Sequence, residues 1–408
     1  MSRRGLVRLA GCLAVIAGLG GALGLGCHRS RPADGPPVAR AFYFWRTTFA
    51  LSDAETRALA EAGITRLYVR VFDVTWNEAD RRAVPVGPLV VPNPPPGASG
   101  SAAPPGASGS AAPPGTSGSA APLGASGSAA PPGATGSAAP PGATGSPVPP
   151  GIDVVPVVFV RDQVLRHAAV APLARDLWAE VQRKAAALGV TPHELQIDCD
   201  WTDHTRDAYF ALLRALRQTS GVALSATIRL HQIKYRERTG VPPVDRGMLM
   251  FYNMGKFSAD PDARAIFDAA AAERYLARLA DYPLPLDLAL PIWSWTVQVR
   301  DGIVVGLLQH TDPATLDAAA FLTRGDDGRY LATRTTFLDG ALIREGDELK
   351  TEVTGPDETA AAAALVDPHL PALSPQAQPR TVTLFDLSER NLRRHDARSL
   401  DRVFRAVH

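Results

Sequence analysis

The sequence predicts an α/β fold, a (β/α)8 TIM-type barrel, and three observations carry that reading. Eight short apolar segments, rich in β-branched and aromatic residues, recur between Ala41 and Leu387. Most are separated by helical stretches that open or close on capping residues. Polar and aromatic side chains gather at the carboxyl ends of the segments, which is where barrel strands carry their chemistry. A doubly wound open sheet is the alternative arrangement of the same elements.

Strand one is the aromatic segment Ala41–Phe49. Ser52-Asp53-Ala54-Glu55 forms a capping box that opens a helix to Ala62, with Gly63 as its stop. Ile64–Val74 and Ile152–Val160 read as strands two and three. A helix from about Leu173 to Leu188 follows and stops at Gly189. Strand four is Leu195–Thr202, followed by a helix over Thr205–Gln218. Ala223–Leu230, Gly247–Tyr252 and Leu286–Trp293 are strands five to seven, with a helix at Glu273–Ala280 before the seventh. Thr381–Leu387 is the eighth, and a closing helix begins near Leu400.

Two units depart from the plan. Residues 95–148 hold six copies of a nine-residue unit, PPGASGSAA and variants, in place of a helix between strands two and three. The tract has almost no bulky apolar residue to offset the entropy of ordering, so it reads as a disordered insertion. Strands seven and eight are far apart, and Arg329–Lys350 between them reads as a small antiparallel appendage. The chain thus divides into 1–26, a leader; 27–40, a tether; 41–94, strands one and two; and 95–148, the repeats. Then come 149–310, strands three to seven; 311–379, a small insertion; and 380–408, strand eight with the closing helix.

The formal charge of +1 and the scattered arginines argue against a nucleic-acid surface. There is no P-loop, dinucleotide glycine pattern or His-rich metal spacing, so no cofactor or metal is expected. Arg3, Arg4 and Arg8 precede an apolar run from Leu9 to Leu25, the form of an export leader. Leu23-Gly24-Leu25-Gly26-Cys27 resembles the bacterial lipobox, although Gly24 stands where the motif prefers Leu. Ser2-Arg3-Arg4-Gly5-Leu6-Val7 partly resembles a twin-arginine signal. These resemblances imply a lipoprotein held to the membrane by acylated Cys27, in the bacterial cell envelope and facing the periplasm or exterior. An uncleaved anchor is the alternative. Cys12 leaves with the leader, and Cys199 has no disulfide partner and reads as a small buried hydrophobe.

Strand four carries the densest chemistry. Alternation places Gln196, Asp198, Asp200 and Thr202 on one face, inside the barrel. Two carboxylates there serve either as a reactive pair or as partners for arginines such as Arg70 and Arg229. The same alternation aligns Ser225, Thr227, Arg229 and His231 on strand five. His231 reads as structural or catalytic. Trp45, Trp293 and Trp295 at other strand ends are stacking platforms or packing residues, and Tyr252, Asp203, Asp386 and Glu389 complete the rim. Aromatic faces with paired carboxylates suit a sugar site.

Ile197-Asp198-Cys199-Asp200-Trp201 resembles the Asp-x-Asp-x-Glu signature of the chitinase-like family 18 glycoside hydrolases. Met250-Phe251-Tyr252-Asn253 is similar to the family's strand-six Met-x-Tyr-Asp/Asn, and Leu288–Trp293 to its strand-seven segment. The chain is also similar to bacterial lipoproteins that carry a domain without assigned function on this barrel plan. The resemblance implies that Asp198, Asp200 and Tyr252 line the pocket. In this alignment Thr202 stands where the family has its proton-donating Glu. A hydroxyl cannot act as a general acid near neutral pH, so the family's mechanism, in which the substrate's acetamido group attacks, does not transfer directly.

Two functions follow. One is a surface-anchored glycoside hydrolase-like protein acting on extracellular polysaccharide or a peptidoglycan-derived sugar. There Asp200 is the acid/base, Asp198 its electrostatic partner, Tyr252 an orienting group and the tryptophans stacking surfaces. The other is a non-catalytic carbohydrate-binding or envelope-assembly lipoprotein that has lost the acid.

Overall fold

The computed structural model describes residues 38–92, 146–260, 262–309, 311–374 and 376–408. The leader, Cys27 and the repeat tract up to residue 145 lie outside the described residues.

The fold is a closed (β/α)8 barrel. Its strands are β1 (Ala39–Phe44), β2 (Arg66–Asn77), β3 (Asp153–Val160), β4 (Glu194–Asp198), β5 (Ala223–Arg229), β6 (Arg246–Met250), β7 (Leu286–Pro291) and β8 (Thr381–Phe385). All eight pair in parallel in chain order, and β1 meets both β2 and β8, so the sheet closes without a barrel edge. A ninth strand, Arg82–Val86, folds back antiparallel on β2.

Alternation divides the core into two layers. Phe42, Leu67, Val69, Ile197, Ile228 and Leu288 point outward and pack under the helices. Ala41, Tyr43, Tyr68, Val155, Val157, Met248, Met250 and Ala289 fill the interior. The helix Asp53–Glu61 starts on the expected box, with Ser52 and Glu55 capping each other's backbone. The helix Val170–Leu188 ends on Gly189 in the left-handed conformation that glycine adopts at little cost. The helix before β7 spans Ala269–Leu276, earlier than expected, because the Asp268 side chain caps it through Ala271 N at 2.9 Å.

Strand four is shorter than the sequence predicts. It ends at Asp198, and the chain then turns outward. Trp201 draws it away: the indole is buried, stacks on Tyr209 at 5.0 Å and donates to Thr239 O at 2.9 Å. The inward set is therefore Glu194, Gln196 and Asp198, with Asp200 and Thr202 in the loop.

The insertion between β7 and β8 is larger than the expected appendage and starts before residue 311. Ser294–Arg300 and Ile303–Leu308 pair with each other, and Glu348–Val353 joins the first of them. Tyr330–Ala332 and Leu322–Arg324 complete a five-stranded antiparallel sheet. After it, Pro356–Val366 supplies the helix that covers β7 before the chain enters β8. The last repeat residues join the barrel, since Ser146 Oγ donates to Leu188 O at 2.7 Å and Val148 is buried.

Candidate functional site

A cavity of about 510 Å³ opens at the carboxyl ends of the strands, and alternation explains most of its lining. The inward register of the strands runs to their ends, and in β1, β6 and β7 one step beyond. Ala41 and Tyr43 lead to Trp45, Met248 and Met250 to Tyr252, Ala289 to Trp293, and Thr381 and Thr383 to Phe385. These four rings form a connected wall. Tyr252 meets Trp293 edge-on at 4.8 Å, and Phe385 lies 5.3 Å from Trp45, 5.5 Å from Trp293 and 5.7 Å from Tyr252.

The carboxyl groups in the cavity differ in their ties. Asp198, the last residue of β4, accepts a hydrogen bond from Thr227 Oγ1 at 2.6 Å. Burial pushes it up to about 6 and the neighbouring Asp200 adds to the rise, while Arg229 and the Thr227 hydroxyl pull the other way. Asp73 is held by Arg70 Nε at 2.7 Å, and both are buried. A register shift between Arg70 and Phe72 puts both residues of this pair on the cavity side, three positions apart. Burial also raises Asp386, against the charge of Arg46 and a hydrogen bond of 2.8 Å from Asn391 Nδ2. Glu389 is exposed at the rim.

The residues singled out in the sequence separate into two groups. Asp198, Arg70, Arg229, Tyr252, Trp45, Trp293 and Trp295 line the cavity. Asp200 and His231 are not among its lining residues. Asp200 pairs with Arg229 Nε at 2.8 Å. Burial opposes the charge on Arg229, but Asp200 and Asp198 outweigh it and hold the guanidinium firmly protonated. Of the two arginines expected to neutralise Asp198 and Asp200, only Arg229 stands beside them; Arg70 serves Asp73. His231 sits on the short helix Leu230–Lys234, because β5 ends at Arg229, and partial desolvation lowers its pKa below the ordinary histidine value. Trp295 is almost fully buried and packs on Phe257 at 4.8 Å, which ties the inserted sheet to the segment after β6.

Thr202 also stands away from the cavity, where its backbone N–H donates to Thr205 Oγ1 at 3.0 Å. Tyr43 and Gln196 are hydrogen-bonded across the barrel interior below the site. Cys199 is buried, and burial raises its thiol far above the range of a nucleophile. Among the described residues no group of three or more His, Cys, Asp or Glu side chains is placed to hold a metal ion.

No protein-family model and no curated protein matches this chain. Its likeness is to solved barrels. One is the spore cortex-lytic enzyme SleL of Bacillus cereus, 11% identical over 91% of this chain and 75% of that one, with a TM-score of 0.45. A chitinase from Chromobacterium violaceum is 12% identical over 90% and 98%, with a TM-score of 0.45. A chitinase from Bacteroides thetaiotaomicron is 10% identical over 90% and 96%, with a TM-score of 0.43. The barrel itself is established by the strand order of this chain, and its chemistry rests on this chain's own residues.

Phe385, Asn391, Gln309 and Arg393 also line the cavity and carried no signal of their own in the sequence. A Ser-x-x-Asn cap directly after strand eight, Ser388 to Asn391, is the feature that marks one of them.

Proposed function

We propose that the protein is a glycoside hydrolase-like lipoprotein, anchored in the cell envelope through Cys27, that acts on an extracellular glycan. The observation that carries the reading is a buried Asp198, raised above the usual carboxylate range, in a cavity walled by Trp45, Tyr252, Trp293 and Phe385. Flat aromatic faces present apolar surface to the C–H faces of a sugar ring. A carboxyl group whose pKa is raised toward neutrality is what protonation of a glycosidic oxygen requires. The acid role falls on Asp198, whereas Asp200 is engaged by Arg229 and stands apart from the cavity lining.

The test is a screen of the purified protein against chitin oligomers, peptidoglycan fragments and glucans, read by release of shorter products. Cleavage that disappears in Asp198→Asn supports the reading. Saturable binding with no cleavage in either form supports the alternative, a carbohydrate-binding or envelope-assembly lipoprotein. That alternative is favoured by the position of Thr202, which leaves the site without a glutamate at the end of β4. Neither binding nor cleavage rejects both. The anchor is tested separately: Cys27→Ser should leave an unprocessed precursor, and mass spectrometry finding a mature N-terminus elsewhere would reject the lipoprotein assignment.

A further inference from the structure

We infer that Asp386 is a second catalytic carboxylate, set opposite Asp198 in the barrel, so that two protein carboxyls cleave the glycosidic bond and no 2-acetamido group is required of the substrate. This rests on the hydrolase reading above and adds the residue, the reaction and the substrate class.

Position comes first. In the closed order β1 to β8, strands β4 and β8 are four apart in either direction, the greatest separation a barrel of eight allows. Asp198 ends β4, Asp386 directly follows β8, and both line the one cavity. A sugar seated between them has a carboxyl on each side. Tyr252, whose hydroxyl both carboxylates influence electrostatically, lies within the same space.

The ties of the two groups come second. Asp73, the other buried carboxyl of the lining, is neutralised by Arg70. Among the described residues Asp198 and Asp386 form no ion pair, although Asp198 is buried and Asp386 is half-buried. Holding two such groups in one cavity costs stability, and a reacting ligand is the usual reason for it. A packing residue at the end of β8 would have no need of a carboxyl.

Asp386 is also aimed. Asn391 Nδ2 donates to its Oδ1 at 2.8 Å and to its backbone oxygen at 2.9 Å. Asn391 is buried, and its own Oδ1 accepts from Arg394 Nη2 at 2.9 Å. The amide therefore cannot rotate freely, and the order Arg394, Asn391, Asp386 fixes the carboxyl as a third group fixes a catalytic base. Asn391 is a positioning residue. Its N–H favours the ionised form of Asp386, whereas Asp198 is bonded only by a hydroxyl.

The step balances as a hydrolysis. Protonated Asp198 gives its proton to the glycosidic oxygen, the C1–O bond breaks, and the leaving sugar keeps the electron pair. A water attacks C1 and loses a proton to the Asp386 carboxylate. One water is consumed, Asp198 ends ionised and Asp386 protonated, and solvent returns the proton from one to the other.

The experiment uses the purified protein on whichever glycan the screen finds cleaved, together with its nitrophenyl glycoside and a pair of substrates that differ only in a 2-acetamido or 2-hydroxyl group. If the wild type cleaves nothing, the hydrolase reading fails and this inference falls with it. If it cleaves, Asp386→Asn should lower kcat by about a hundredfold or more on natural and nitrophenyl substrates alike, with KM within about threefold. Asp198→Asn should spare the nitrophenyl substrate, whose leaving group needs no proton. Asn391→Ala should move the acid limb of the kcat/KM profile to higher pH, which a purely structural role would not do, and it keeps the test open should Asp386→Asn fail to fold. The 2-hydroxyl substrate should be cleaved within about tenfold of its partner. Wild-type-like kcat in Asp386→Asn, an unmoved acid limb in Asn391→Ala, or cleavage confined to acetamido-bearing substrates overturns the inference while leaving the hydrolase reading intact.

Discussion

Arg229 Nε donates to Asp200 Oδ1 at 2.8 Å, and this bond separates two acids, Asp198 and Asp200, that stand only two positions apart in the sequence. Asp200 pairs with the half-buried Arg229 guanidinium, while Asp198 has a hydroxyl for a partner and a pKa pushed up to about 6. The pair reads as one motif along the chain and as two functions in space.

Replacing Asp200 by Asn should therefore act on stability and on pH before it acts on chemistry. The variant leaves Arg229 without its ion-pair partner, at a cost of about 1–2 kcal/mol once the partial exposure of Asp200 is allowed for. The charge of Asp200 also helps to raise Asp198. Its loss should move the basic limb of a pH–rate profile to lower pH. Urea denaturation and the profile check both, and a hundredfold fall in kcat at the optimum with unchanged stability would return the acid role to Asp200.

Asp198 makes folding stability depend on pH in a defined direction. Its folded pKa, about 6, lies above the ordinary value of 3.8, so the native state binds the proton more tightly than the unfolded chain. The contribution is fully present below about pH 4 and is lost as pH rises through 6. Asp198→Asn cannot ionise and escapes that loss. The stability of the variant relative to wild type should rise between pH 4 and 7 by up to about 3 kcal/mol. Urea midpoints across that range test it, and a constant difference would mean that Asp198 is not perturbed.

The barrel was legible where local chemistry decides the structure. The Ser52–Glu55 box, the Gly189 stop and the placing of Trp45, Tyr252 and Trp293 at strand ends are each readable from a few neighbours. The end of β4 was not, because Trp201 looks like one more apolar strand residue until Tyr209 and Thr239, distant in the sequence, claim its ring and its N–H. The Arg70–Asp73 pair was hidden for a related reason: an irregularity in β2 resets the alternation by one, and no residue type announces it. At Asp386 the sequence showed an acid at a strand end but not the amide five residues on that aims it.

Gly87 controls the setting of Arg70. It has φ of +53°, and a Cβ there would lie 2.9 Å from Arg70 Nη2, while its oxygen accepts from Arg70 Nη1 at 3.1 Å. Gly87→Ala should strain the turn by about 1 kcal/mol and displace the guanidinium from Asp73. The Asp73 charge, no longer offset by Arg70, should act more strongly on Asp198 and raise its pKa further, seen as a basic limb shifted to higher pH. An unshifted limb with normal stability would show that Arg70 keeps its pairing by another route.

The repeat tract should matter only at its final residues. Exchanging residues 95–145 for a Gly/Ser linker of about fifteen residues removes almost no bulky apolar side chain and shortens the loop, so stability should hold or rise by about 1 kcal/mol. Carrying the exchange through residue 148 also removes the bond from Ser146 to Leu188 and the buried side chain of Val148. Those losses are worth about 1–3 kcal/mol together, or several degrees in Tm. The two variants differ by only three residues, so a melting comparison isolates the junction. Equal Tm values would show that the contacts of Ser146 and Val148 contribute nothing, and a steep loss in the shorter exchange would place packing partners within residues 95–145 themselves.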